Sequence, residues 1–69
     1  MKAPGRVVVF RRRPSAGWWP ARVPAEGVGR YLRTVRFRSG AVMAQIELVD
    51  GRTVWVPDSP RFTEFEIVA

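Results

Sequence analysis

Two adjacent tryptophans, Trp18 and Trp19, follow a run of three arginines, Arg11–Arg13, and these residues of the 69-residue chain are the best suited to chemistry with a partner. In extended backbone, neighbouring side chains point to opposite faces, so one indole can anchor a core while the other is pushed toward water. An exposed indole beside guanidinium groups can stack on a base or wedge into a groove while the arginines hold phosphates. Covalent chemistry has less to work with. The chain contains no cysteine and no histidine, which removes thiol nucleophiles, disulfides, cysteine-ligated zinc, the usual general base and the commonest metal ligand. Six carboxylates remain, scattered along the sequence. A chain of this length buries only about 60% of its unfolded surface, too little for a large catalytic cavity. The expectation is a non-enzymatic protein without cofactor, metal or small-molecule substrate.

The net charge of +6 is unevenly distributed. Residues 1–40 carry Lys2, Arg6, Arg11, Arg12, Arg13, Arg22, Arg30, Arg33, Arg36 and Arg38 against Glu26 alone. Residues 41–69 carry Arg52 and Arg61 against Glu47, Asp50, Asp58, Glu64 and Glu66. Such segregation in a small body predicts one positive face that attracts a polyanion in a salt-dependent way. All but one of the basic residues are arginine, whose planar fork binds phosphate bidentately and stacks on bases.

The elements that must position these groups are short strands separated by glycine and proline; no segment sustains a 3.6-residue apolar period. Arg6–Arg12 reads as a valine-rich first strand, 13–17 as a loop, and Trp18–Val23 as a second extended segment that Pro20 confines to an edge or a bulge. Pro24–Gly29 reads as a loop and Tyr31–Arg38 as a strand. On it Tyr31, Val35 and Phe37 share the core face, while Arg30, Arg36 and Arg38 share the opposite face with Leu32 and Thr34. Ser39-Gly40 marks a tight turn before a strand over Ala41–Val49. Asp50-Gly51 is the strongest local signal, predicting a two-residue type I′ hairpin into Thr53–Val56. Trp55 is read as a packing residue against Pro20 or Pro57. Pro57–Pro60 breaks the sheet, and Arg61–Val68 makes a turn and a terminal strand through Phe62, Phe65 and Ile67. Five or six short strands in one domain spanning residues 1–69 predict an all-β fold, a small SH3-like barrel, with an OB-like barrel as the alternative.

Gly17-Trp18-Trp19-Pro20-Ala21-Arg22-Val23, after a valine-rich strand and a loop, resembles the signature of PWWP domains in the Tudor-like barrel superfamily. Ile46–Gly51 followed by Thr53–Pro57 is similar to that family's third and fourth barrel strands. The resemblance implies a five- to six-stranded barrel that binds nucleosomal DNA through basic residues, with an aromatic cage for a methylated lysine. Trp19 falls on a cage position, but Ala16 and Leu48 or Val49 fall where the other aromatic walls belong. One indole supplies little of the attraction a quaternary ammonium needs, so the DNA-binding half of the implied function carries over better.

The expected function is therefore weakly sequence-specific nucleic-acid binding, DNA favoured over RNA. Its residues are Arg11, Arg12 and Arg13 in the first loop, Trp18 or Trp19 as the stacking indole, and Arg22, Arg30, Arg36 and Arg38 along the track. The rival expectation is a protein-interaction module whose tryptophans and prolines form a peptide groove; a methyl-lysine reader is third. Val7–Phe10 is closed at once by arginines, so no signal peptide or membrane-spanning run is read, and a cytoplasmic, nucleoid-associated or nuclear location is expected.

Overall fold

A computed structural model describes residues 4–69. Five strands, β1 (Val7–Arg12), β2 (Glu26–Arg36), β3 (Val42–Leu48), β4 (Thr53–Pro57) and β5 (Thr63–Ile67), form one sheet in the order β4-β3-β2-β1-β5, every pairing antiparallel. There is no helix among the described residues. The order leaves β4 and β5 as its two ends, and among the described residues no ladder joins them into a closed barrel.

Alternation builds the core. Val8 and Phe10 of β1, Tyr31 of β2, Ala44, Ile46 and Leu48 of β3, and Val54 and Val56 of β4 bury one face of the sheet, with Phe65 of β5 packed against them. Period-2 spacing delivers these side chains to the same side, and burying each of the larger ones contributes about 1.5–3 kcal/mol.

The predicted extended segment Trp18–Val23 is not a strand. It belongs to the long connection between β1 and β2, where the Val23 N–H closes a turn onto the Pro20 carbonyl at 3.2 Å. Pro20 and Pro24 have no N–H to give a ladder, so this stretch pairs with no strand and instead folds Val23 and Trp19 onto the core.

Conversely, the predicted loop Pro24–Gly29 is mostly strand, because β2 begins at Glu26. Its glycines are there for space. A Cβ on Gly27 would lie 2.6 Å from the Phe10 ring, and one on Gly29 would lie 2.5 Å from the Glu47 carbonyl oxygen and 2.6 Å from Ile46. A β1 side chain and the side chain and backbone of β3 occupy that volume, a use of glycine within strands that resembles a turn signal in sequence.

The register of β2 on β3 slips between Tyr31, opposite Ile46, and Arg33, opposite Gln45, leaving Leu32 as a bulged residue outside the register. Each bulge residue reverses which face later side chains take. Arg30 lies opposite Glu47 and Arg36 opposite Val42, positions of opposite parity on β3, so Arg30 and Arg36 are on opposite faces and the single arginine face predicted for this strand does not form. Thr34 moves to the core side beside Tyr31, and Phe37 leaves it: exposed, it meets Trp55 edge-on with centroids 5.1 Å apart. Trp55 therefore packs against Phe37 and under the Arg33 guanidinium, 5.7 Å from the ring centroid.

Both hairpins fall where turn chemistry predicts, and the one at Asp50-Gly51 takes a different geometry. Leu48 N–H bonds the Arg52 carbonyl, Gly51 N–H bonds the Leu48 carbonyl, and Gly51 has φ 89°. A type I′ turn needs positive φ at both central residues, and among the described residues only glycines have it. Val49-Asp50-Gly51 is thus a three-residue loop, a type I turn followed by a left-handed glycine. Arg38-Ser39-Gly40 repeats the design, with Phe37 N–H on the Ala41 carbonyl and Gly40 at φ 94°.

Candidate nucleic-acid interface

The tryptophan pair divides as expected, though in a loop instead of a strand. Trp19 packs against the core and donates its Nε1–H to the Val23 carbonyl at 3.0 Å. Trp18 is 54% exposed. Ala16, beside them, is buried.

The arginine run does not act as one group. Arg11 lies within β1, not in a loop, and faces outward between its neighbours on either side: its Nε meets Glu26 at 2.9 Å, and Nη1 lies 3.7 Å from Glu64 and 3.9 Å from Glu66. Three carboxylates more than balance its charge. Arg12 ends the strand, exposed, with Nη2 3.5 Å from the Ala16 carbonyl. Arg13 is half-buried; its backbone N–H bonds the Phe62 carbonyl and its Nε is buried without a hydrogen-bond partner among the described residues.

The rest of the predicted track separates in the same way. Arg30 lies 3.8 Å from Glu47 on the outward face. Arg33 shares that face, donating to Gln45 at 3.0 Å. Arg22, Arg36 and Arg38 are exposed, and no carboxylate is paired with them among the described residues. Arg61, which sequence reasoning passes over because it lies in the acidic half, has the same standing. Its backbone N–H bonds Ser59 Oγ at 3.3 Å.

The acids are committed elsewhere. Glu26, Glu64 and Glu66 surround Arg11, Glu47 faces Arg30, and Asp50 holds Arg52 at 2.8 Å. The Arg52 backbone N–H and then its guanidinium hold the Asp50 carboxyl below the usual carboxylate range. Asp58 accepts from Thr34 Oγ1 at 2.6 Å, and because that hydroxyl has one proton, the Tyr31 hydroxyl 2.5 Å away donates to Thr34. This relay ties the β4–β5 connection to the core.

That connection borders a groove of about 470 Å³ lined by Trp18, Gly40–Met43 and Pro57–Pro60 together with Phe62. Three segments meet there: the β1–β2 loop brings the indole, the β2–β3 hairpin one wall and the β4–β5 connection the other. Arg36 lies opposite the groove residue Val42 in register, Arg38 belongs to the hairpin loop of Gly40, and Arg61 stands between Pro60 and Phe62. Sequence reasoning finds Trp18, Arg36 and Arg38 but not Pro57, Pro60, Phe62 or Met43, whose meeting is purely tertiary. A second concavity of about 380 Å³, on the outward side along Val7, Val28 and Val49, contains the Arg30–Glu47 pair.

Comparisons with protein families, with curated proteins and with solved structures return no match for this chain.

Proposed function

We propose that the chain is a non-enzymatic nucleic-acid-binding module, DNA favoured over RNA, acting in the cytoplasm on the nucleoid or in the nucleus. The observation that carries this reading is Trp18, more than half exposed, on a groove whose lining residues neighbour Arg36 in register and Arg38 and Arg61 in the chain, three exposed arginines without carboxylate partners among the described residues. Arginines that no internal acid neutralises attract phosphates, and an exposed aromatic ring adds a sequence-tolerant stacking surface. Arg12, Arg13 and Arg22 extend the same set along the β1–β2 connection, and Trp19, packed on the core, anchors the loop that presents Trp18. Arg11 and Arg30 contribute least, because their charge is already matched.

The SH3-like barrel of Tudor or PWWP type belongs to the same proposal. Its support is the strand order, the bulge at Leu32 that bends the longest strand, and the resemblance of Gly17–Val23 to the PWWP signature. The test is affinity for a short DNA measured against salt. Each phosphate neutralised should steepen the slope of log affinity on log salt by roughly 0.7 to 0.9, and replacing Arg36, Arg38 and Arg61 together by glutamine should flatten it. A wild-type affinity indifferent to salt would sink the reading.

One observation favours a second reading, a protein-interaction module: the groove's walls are largely apolar, with Met43, Pro57, Pro60 and Phe62 beside Trp18. Tight, salt-resistant binding of an uncharged proline-rich peptide with a change in Trp18 fluorescence would select it.

A further inference from the structure

We infer that the ligand is single-stranded, and that one unstacked base enters the groove between Trp18 and the Pro57–Phe62 wall while its flanking phosphates meet Arg36 and Arg38 on one side and Arg61 on the other. This rests on the nucleic-acid reading and specifies the substrate class of the same site. The cations without carboxylate partners lie on the backbone segments that line the groove, though not among the lining residues themselves. On the hairpin side Arg36 is the register partner of the lining residue Val42 and Arg38 precedes Gly40 by two residues, and on the opposing side Arg61 stands in the chain between the lining residues Pro60 and Phe62. Among the described residues no carboxylate is paired with any of the three, and the Asp58 carboxylate that borders the groove is bonded to Thr34.

A ligand satisfying both properties must bring a flat apolar face and negative charge on either side of it. A single strand does this at every nucleotide. A duplex presents phosphates but keeps its base faces stacked, so filling the groove would require extruding a base, which strongly favours the strand that is already unstacked. The groove's volume, about 470 Å³, lies within the range of small-ligand pockets. Its aromatic and proline lining offers stacking planes, and its polar side chains Asp58 and Ser59 already accept hydrogen bonds from Thr34 and the Arg61 N–H, so capture should be sequence-tolerant.

The experiment titrates the intact chain with three probes of about 12 nucleotides, a length inside the range of single-strand site sizes. They are a mixed-sequence single strand, its duplex, and an abasic strand of the same length, each followed by anisotropy and by tryptophan fluorescence. Trp18→Ala and Trp18→Phe are compared with the wild type. The expected result is a single strand bound about tenfold or more tighter than either duplex or abasic strand, with fluorescence quenched by the single strand alone. Trp18→Ala should lose that preference while keeping the salt slope, and Trp18→Phe should restore part of it. Because Trp18 is exposed, the alanine variant should fold, which its thermal transition checks.

Equal or tighter duplex binding, or single-strand affinity unchanged in Trp18→Ala, overturns the inference and leaves electrostatic nucleic-acid binding standing. Failure of all three probes at low salt overturns both. An acidic, proline-containing peptide that binds tighter than the strand through Trp18 assigns the groove to a protein and overturns the inference as well.

Discussion

The outward face around Arg11 and the groove end around Trp18 contain the same kinds of residue and differ in how these are paired. At Arg11 three glutamates from two neighbouring strands converge on one guanidinium, and Arg30 has Glu47. At the groove, arginines from a hairpin and a turn flank largely apolar walls with no acid paired to them among the described residues, and the one lining acid, Asp58, accepts a hydrogen bond from Thr34. Counting charge along the chain assigns positive potential to both. Only the second region has it to spare, because a cation within about 4 Å of a carboxylate no longer acts at a distance. A basic run marks a binding surface only when the fold leaves it unmatched.

The contrast breaks most sharply at the two tryptophans. Trp19→Ala removes an indole packed on the core and a hydrogen bond to Val23, and should destabilise the fold by about 3 kcal/mol in chemical denaturation. Trp18→Ala should change stability by less than about 0.5 kcal/mol. Equal effects would mean that the two indoles are not divided between core and water.

Next in size is the arginine exchange. The triple variant Arg36→Gln, Arg38→Gln and Arg61→Gln should lower affinity for a short oligonucleotide about tenfold or more at low salt, and reduce the salt slope by roughly one for each phosphate that is no longer neutralised. Arg11→Gln, made alone, should leave the slope unchanged, because that guanidinium is occupied by Glu26, Glu64 and Glu66. A large effect of Arg11→Gln would reverse the comparison.

Thr63→Val should raise stability by about 1 kcal/mol in the same denaturation assay. Thr63 is 2% exposed and its hydroxyl has no hydrogen-bond partner among the described residues, so an isosteric methyl removes a desolvation cost. A loss of stability would show that the hydroxyl is bonded.

The smallest effect concerns acid. Asp50 has its pKa lowered in the folded chain by the Arg52 backbone N–H and guanidinium. Its contribution is therefore present above the usual carboxylate range and is lost as pH falls through the lowered folded value. Because the pair is exposed, the loss should be slight. It should vanish in Asp50→Asn, as a thermal melt series in acid would show.

Much of the fold is legible locally. The alternation of Val8 and Phe10, of Ala44, Ile46 and Leu48, and of Val54 and Val56 foretells strands and their core faces, and Ser39-Gly40 and Asp50-Gly51 foretell both hairpins. Turn length is harder to read, because a single left-handed glycine serves a three-residue loop where a two-residue turn carries the same dipeptide signal. The Trp18–Val23 stretch reads as a strand because its residue types suit one, while in the fold the missing N–H groups of Pro20 and Pro24 prevail. Gly27 and Gly29 read as a loop because nothing in the string shows that Phe10 and Ile46 need their space. Of the candidate site, Trp18, Arg36 and Arg38 stand out in sequence, whereas the residues of the β4–β5 connection, with Arg61 among them, gain their place only when that connection borders the groove.

The chain by itself determined that strands and hairpins dominate, that thiol and imidazole chemistry is absent, and that arginine and tryptophan crowd its first half, since propensity, turn chemistry and composition act over a few residues. Tertiary structure decided which of those arginines face a carboxylate and which do not. One bulged residue at Leu32 put Arg30 and Arg36 on opposite faces, and β5 brought Glu64 and Glu66 from the far end of the chain onto Arg11. Electrostatic neutralisation depends on distance in space, and sequence separation does not report it.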